Sequence, residues 1–135
     1  MNDGELVRCN TARAILTYHH ELERLFGPML RKVLKDPSEQ VRFTLLAVVK
    51  ELYEQLPEPV CLEIIETLAG DDSRDIRLKT AQVIINLSPK FSELARTKLL
   101  PRLTQVEAPS DKRVKQELER IFLGKPYIIA VLELE

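Results

Sequence analysis

The chain has 135 residues, of which 44% are hydrophobic and 30% charged, the balance of a folded domain rather than of a disordered segment. Its 20 Lys and Arg residues against 21 Asp and Glu residues give a net charge of −1, so no global charge favours nucleic acid or an anionic membrane as a partner. No apolar run reaches the roughly 18 residues of a membrane span, and neither a signal peptide nor a disulfide framework is indicated, so we expect the cytoplasm or the nucleus as the location.

The first predicted helix covers residues 2–19 and has a weak apolar stripe, made of Val7, Thr11, Ala14, Ile15 and Tyr18. Steps of three and four residues place these side chains on one helix face, which we expect to be buried. We expect a polar turn at His19 and His20, because no Glu-x-x-His or His-x-x-x-His arrangement surrounds the pair.

Three helix pairs are predicted next, over residues 20–56, 57–88 and 89–124. The first helix of each pair is expected at residues 20–35, 59–69 and 90–105. The second helices have apolar stripes at helical spacing, which are Val41, Leu45, Val48, Val49 and Leu52, then Ile76, Thr80, Val83, Ile84 and Leu87, then Val114, Leu118, Ile121 and Phe122. Prolines 57, 59 and 89 separate the pairs, and polar turns join the two helices within each pair.

A β-branched residue followed by a base recurs along the chain. The four occurrences are Val7-Arg8, Val41-Arg42, Ile76-Arg77 and Val114-Lys115, and the bases at positions 8, 42, 77 and 115 are 34, 35 and 38 residues apart. Six positions before each base stands a turn-forming residue, namely Asn2, Asp36, Asp71 or Pro109. A helix pair of this length cannot bury its apolar face alone, so the repeat predicts an all-α solenoid of about four stacked pairs, the first of them incomplete.

The last residues, 125–135, depart from the repeat and include the apolar run from Tyr127 to Leu132. Two readings remain open: a short capping helix that starts at Pro126, or an extended segment rich in β-branched residues. If uncovered, this segment would expose an apolar patch, so it is also a candidate site of contact or self-association.

Two stretches of sequence resemble the HEAT repeat of the armadillo-like families. One is Phe26-Gly27-Pro28-Met29-Leu30 with Leu34, Asp36-Pro37 and Val41-Arg42, and the other is Leu99-Leu100-Pro101-Arg102-Leu103 with Pro109 and Val114-Lys115. The resemblance covers residues 2–124 and implies a right-handed α–α superhelix. It also implies a ladder of hydrogen bonds between neighbouring repeats, at Asp36, Arg42, Asp71 and Arg77, with Lys115 in place of arginine in the last repeat. Since no helix precedes the first repeat, the chain begins either as a fragment of a longer solenoid or with an unpaired capping helix.

No catalytic, cofactor-binding or metal-binding constellation is predicted. Cys9 and Cys61 have no histidine base in a recognisable motif, and the four glycines are isolated rather than grouped in a phosphate-binding loop. The sequence therefore predicts that the chain is not an enzyme. An enzyme built on a solenoid frame would need a cofactor or a buried acid–base pair, and the sequence shows neither.

The resemblance implies that the second helices line a concave surface for a partner. The positions off their core stripes would then form the binding surface, and they include Phe43, Leu46, Lys50, Leu78, Gln82 and Ile85. An apolar groove of this kind fits a partner helix or an extended peptide. The alternative is that the predicted facing is wrong by one position and that these residues belong to the core. The leading hypothesis is a non-catalytic scaffold for protein–protein interaction.

The alternative function is nucleic-acid binding by a basic stripe. The residues concerned are Arg24, Arg31, Lys32, Lys35, Arg96, Lys98 and Arg102. Acidic residues are interleaved with these bases and no aromatic platform accompanies them, which favours a charged surface that serves solubility.

Overall fold

The computed structural model describes residues 3–105, with side chains described through Leu99. Every regular element in this range is helical and none is a strand, which confirms the all-α class for the described residues. The chain divides into two compact units, the first ending at Leu68 and the second beginning at Ala69. The predictions for Lys115, for the second helix of the last pair and for residues 125–135 lie outside the described residues.

The first unit contains five α-helices and two 3₁₀ turns within its described residues. The helices are α1 (Asp3–Thr17), α2 (His19–Leu22), α3 (Phe26–Leu34), α4 (Glu39–Leu52) and α5 (Glu58–Ala69, whose last residue begins the second unit), and the 3₁₀ turns are Glu23–Leu25 and Tyr53–Gln55. The described part of the second unit contains α6 (Arg74–Leu87), a 3₁₀ turn (Ser88–Lys90) and α7 (Glu93–Gln105).

The core of the first unit is aliphatic. Helix α1 packs on α4 and, less extensively, on α3, and α3 also packs on α4. These helices bury, among others, Ile15, Leu16, Leu30, Leu34, Val41, Leu45, Val48 and Val49. Burial of side chains of this size stabilises a fold by about 1.5–3 kcal/mol each, so these contacts dominate the packing of the unit.

The helix predicted over residues 20–35 is interrupted, so this prediction was wrong in part. The chain forms the one-turn helix α2, then a 3₁₀ turn at Glu23–Leu25, and only then α3. Pro28 supplies the physical reason, because proline is tolerated in the first turn of a helix but would clash with the carbonyl of Arg24 in a continuous one. His19 and His20 are the first residues of α2, so they lie in a helical turn rather than in the predicted polar turn between helices.

The stripe predicted for α1 does not coincide with its buried face. The buried residues are Cys9, Ala12, Ile15 and Leu16. Val7 is 61% exposed and Tyr18 58% exposed, and Thr11 and Ala14 are exposed as well. Only Ile15 of the predicted stripe is in the core. The buried face of α1 is set by its contacts with α4 and α3, which the apolar spacing alone does not indicate.

A local turn structure is repeated once in each unit. Ser38 and Ser73 are the N-caps of α4 and α6, and their hydroxyls accept from the backbone N–H of Val41 and Ile76 respectively. Two residues earlier in each turn is an aspartate, whose carboxylate accepts from the serine N–H at 2.9 Å in both cases. Each turn thus satisfies N–H groups that the start of a helix leaves without intrahelical partners.

The described part of the second unit follows the same principles. Helix α6 buries Ile76, Ala81, Val83, Ile84 and Leu87, together with Thr80, whose hydroxyl donates to the carbonyl of Ile76. Ser92 caps α7 by accepting from the N–H of Ala95 at 3.1 Å. The Arg96 guanidinium donates to the carbonyl of Ser88 at 2.9 Å, which ties α7 to the preceding 3₁₀ turn.

Candidate protein-binding site

The predicted ladder residues lie at the two repeated turns. Arg42 Nη1 donates to the carbonyl of Asp36 at 2.6 Å, and Arg77 Nη1 donates to the carbonyl of Asp71 at 2.7 Å. Each arginine therefore braces the turn that precedes its own helix. Arg8 Nε donates to Asp36 Oδ2 at 2.9 Å, a contact that joins α1 to the turn before α4.

The residues predicted for a binding surface on α4 differ in their exposure. Lys50 is exposed and Phe43 is half-buried. Leu46 is fully buried, so its assignment to an open groove was wrong. Helix α4 is packed by α1 as well as by α3, so its buried arc is wider than the single stripe that periodicity predicts.

The equivalent residues of α6, taken within the second unit, remain available as surface. Gln82 is exposed, and Leu78 and Ile85 are half-buried. None of these three side chains is in the fully buried core of α6. The outer face of α6 is therefore a mixed polar and apolar surface that includes Gln82 and Ile85.

A cleft of about 260 Å³ lies between α1 and α3, in the first unit. It is lined by Arg8, Thr11, Ile15, Met29, Lys32, Val33 and Asp36. Ile15 and Val33 are buried and Met29 is half-buried, so the cleft combines an apolar interior with polar side chains around it. This is the usual make-up of a site that receives an apolar side chain from a ligand or partner.

The charge around the cleft is predominantly positive. The Asp36 carboxylate is occupied by Arg8 and by the N–H of Ser38, so its charge is compensated. Lys32 is exposed and has no ion pair within the described part of the chain. Arg31 and Lys35 on the same stretch, and Arg24 just before α3, are also exposed and lack ion pairs among the described residues. Of these four cations only Lys32 lines the cleft, so the cleft presents one cation without an ion pair among the described residues beside an apolar interior.

An exposed strip on α1 borders the cleft. The strip comprises Val7, Thr11, Ala14 and Tyr18, at helical steps of four, three and four residues that place them on one side of the helix. Thirty-four residues further on, the equivalent positions in α4 are Val41, Leu45, Val48 and Leu52. Val41, Leu45 and Val48 are completely buried, with 0% exposure each, and Leu52 is half-buried. The same helical position is thus core in α4 and surface in α1.

Tyr53, Glu58 and Cys61 form a buried polar group within the first unit. The Tyr53 hydroxyl donates to Glu58 Oε2, which links the 3₁₀ turn after α4 to the first turn of α5. Burial, followed by the Glu58 hydrogen bond and charge, raises the pKa of Tyr53 far above its ordinary value. Burial, with a smaller contribution from the Glu58 charge, raises the pKa of the Cys61 thiol to about 12. A thiol that stays protonated at neutral pH is a packing group rather than a nucleophile.

His19 is the histidine with the closest contacts in the described range. Its ring lies 3.9 Å from that of His20 and 6.1 Å, edge-on, from that of Phe26. Nδ1 is 3.0 Å from the carbonyl of Leu16 and therefore donates to it, while Nε2 is enclosed and has no partner among the described residues. No cluster of three or more His, Cys, Asp or Glu side chains in the described residues is placed to hold a metal ion.

Comparisons with protein-family models, with curated proteins and with solved structures return no match to this chain. None of the helices in the described range is long and apolar enough to cross a membrane.

The α1–α3 cleft is the feature that sequence reasoning missed. It depends on the approach of Ile15 in α1 to Met29 and Val33 in α3, which no local sequence pattern encodes.

Proposed function

We propose that this chain is a non-catalytic scaffold that binds a helix or an extended segment of another protein. The observation that carries the proposal is the exposed strip of α1 beside an apolar cleft whose lining includes Lys32. Contiguous apolar surface with a polar rim is characteristic of protein–protein contact sites. The resemblance to HEAT repeats supports the same proposal, as does the repeated turn at Asp36 and Asp71. The cytoplasm or the nucleus is the proposed location.

The outer faces of α4 and α6 are additional candidate contact surfaces, each considered within its own unit. Lys50 and Gln82 are exposed, and Phe43 and Ile85 are half-buried beside them. The proposal assigns these faces a supporting role.

Affinity purification with four versions of the full chain tests the proposal. The versions are the wild type, Thr11→Glu in the cleft, Lys50→Glu with Gln82→Glu on the outer faces, and Thr97→Glu as control. Thr11 and Thr97 are matched, because both are exposed and each donates to a carbonyl four residues earlier, at 2.9 and 3.0 Å.

We expect a co-purifying protein that the wild type and Thr97→Glu retain and that at least one surface variant loses. Its binding is then measured with both purified proteins by calorimetry, where the loss should be ten-fold or more. If every purified partner candidate binds both surface variants as tightly as it binds the wild type, the scaffold proposal is wrong.

Nucleic-acid binding is the second candidate, and the free cations of α3 and the turn before it favour it. Arg24, Arg31, Lys32 and Lys35 are all exposed within twelve consecutive residues. This function predicts an affinity that falls steeply with salt and that Arg31→Glu and Lys32→Glu reduce together. A mobility-shift titration at low salt that shows no complex would exclude it.

A further inference from the structure

We propose that the α1–α3 cleft and the adjoining strip hold an acidic amphipathic helix of a partner protein, packed against α1. This inference rests on the proposed scaffold function and specifies its partner. The strip is Val7, Thr11, Ala14 and Tyr18, and the cleft is lined chiefly by Ile15, Met29, Val33 and Lys32.

Internal repetition identifies the occupant as a helix. Helix α4 is packed by α1 and, less extensively, by α3, and its Val41, Leu45 and Val48 are completely buried. The positions 34 residues earlier, Val7, Thr11 and Ala14, form the same pattern on α1 but are exposed. A surface whose counterpart in the next repeat is covered by a helix has the spacing of ridges and grooves that a helix fills.

The length and shape of the surface set the size of the occupant. From Val7 to Tyr18 the strip runs eleven residues, about 16 Å along the helix axis, which corresponds to three helical turns. A partner helix that presents apolar residues at i, i+3 or i+4, and i+7 covers this length. The cleft of about 260 Å³ has room for one large apolar side chain, such as Leu, Met or Phe, against Met29.

The charges identify the occupant as acidic. Lys32 lines the cleft without an ion pair among the described residues. Arg8 is already paired with Asp36, so the uncompensated charge at this site is positive. A Glu or Asp on the partner helix would pair with Lys32 at the edge of the cleft. The apolar interior favours such a helix over a nucleic-acid backbone, which would leave Ile15, Met29 and Val33 uncovered.

Met29 offers a direct reporter, because the sequence has two methionines and the other is Met1. The full chain, labelled with ¹³C at the methionine methyl groups, is titrated with two synthetic sixteen-residue helical peptides. Both have leucines spaced to form one stripe; the first has glutamates on the flanks and the second has lysines at the same places.

We expect the acidic peptide to shift the Met29 signal saturably and the basic peptide to bind at least ten-fold more weakly. Lys32→Glu should reverse this preference, and Thr11→Glu should weaken the acidic peptide ten-fold or more. Thr97→Glu, the matched control outside the first unit, should bind like the wild type.

Three outcomes of the titration would overturn the inference. The first is a Met29 signal that neither peptide moves, and the second is equal affinity for the two peptides. The third is a Met29 signal that shifts with protein concentration alone, which would make a second copy of this chain the occupant. A partner protein that is lost with Lys50→Glu and Gln82→Glu but retained with Thr11→Glu would leave the scaffold function standing and remove this inference.

Discussion

Glu23 occupies an unfavourable backbone conformation at the break between α2 and α3. Its φ is 47° and its ψ −115°, and it is the one non-glycine residue at positive φ in the described range. L side chains rarely adopt this region, and a residue held there costs on the order of 1–3 kcal/mol. The fold therefore holds Glu23 in a conformation that the residue itself disfavours.

Replacing Glu23 by glycine should stabilise the protein. Glycine removes the strain but loses more conformational entropy on folding, so we expect a net gain of about 0.5–2 kcal/mol in the free energy of unfolding. Urea denaturation measures the change. Glu21→Gly is the control, because Glu21 lies inside α2 and glycine there should cost about 1 kcal/mol. Equal losses in the two variants would show that Glu23 is not strained.

Asp36 is the polar residue on which the first turn depends. Its two carboxylate oxygens accept from Ser38 N–H and from Arg8 Nε, each at 2.9 Å, and its side chain is 11% exposed. We expect Asp36→Ala to cost about 2 kcal/mol, since hydrogen bonds to charged groups contribute about 1.5–3 kcal/mol. Arg8→Ala should cost less than about 1 kcal/mol, because Arg8 is 44% exposed and solvent screens its ion pair. Equal losses in urea denaturation would contradict this account.

At the scale of the elements, the repeated turn is the best-defined unit of sequence and structure. The pattern Asp-x-Ser-x-x-Val/Ile-Arg occurs at Asp36–Arg42 and at Asp71–Arg77, and both copies form the same three hydrogen bonds: serine N–H to aspartate, helix N–H to serine, and arginine to the aspartate carbonyl. The same seven-residue pattern thus forms the same hydrogen bonds at the start of two helices.

Removing either capping serine should destabilise its helix, and Ser38 should matter more. Loss of a serine cap costs about 1 kcal/mol, so Ser73→Ala should lower the free energy of unfolding by that amount. Ser38 also donates to Glu5 Oε1 at 2.9 Å, so Ser38→Ala loses a further contact with α1. Thr44→Ala is the control, because it removes a side-chain hydrogen bond within α4, from the Thr44 hydroxyl to the carbonyl of Gln40. Hydrogen exchange at the first turns of α4 and α6 reports each helix separately, and unchanged protection in both variants would refute the capping role.

The elements that the sequence predicted best are those whose local signals agree. For α4 and α6, the caps, the apolar spacing and the turn residues all point to the same helix, and the structure confirms both. For α1, periodicity identified an apolar stripe but not what covers it, because burial depends on neighbours that periodicity cannot supply. The break before α3 depended on Pro28, a signal that was present in the sequence but outweighed by the apolar pattern around it.

The residues of the candidate site were also predicted correctly only where local patterns decide their exposure. Lys50 and Gln82 were predicted to be exposed and are exposed, since each lies opposite the apolar stripe of its helix. Leu46 was predicted to be exposed and is buried, because α4 has more than one neighbour. The cleft depends on the approach of Ile15 to Met29 and Val33, which belong to different helices. No local pattern encodes that approach, so the cleft became visible only in the structure.

At the scale of the molecule, buried ionisable groups link stability to pH. Tyr53 is 6% exposed and Cys61 fully buried, and burial raises the pKa of both groups. Both groups are neutral when protonated, so the folded state holds their protons at pH values where the unfolded chain releases them. Stability contributed in this way is complete below the unfolded pKa and is lost as the pH rises above it.

The free energy of unfolding should therefore fall as the pH rises above about 9. Cys61 has an unfolded value of 9.0 and a folded pKa of about 12, and Tyr53 begins to contribute above its unfolded value of 10.0. Between its unfolded and its folded pKa, each group lowers the free energy of unfolding by about 1.4 kcal/mol per pH unit. The reason is that the unfolded chain has lost a proton that the folded chain retains. Urea denaturation at intervals from pH 8 to pH 11 measures the profile. Cys61→Ala should flatten its first part and Tyr53→Phe its second, whereas Tyr18→Phe, at a residue 58% exposed, should leave the wild-type slope. If the free energy of unfolding falls as steeply with pH in Cys61→Ala and Tyr53→Phe as in the wild type, these two protons do not cause the loss of stability at alkaline pH.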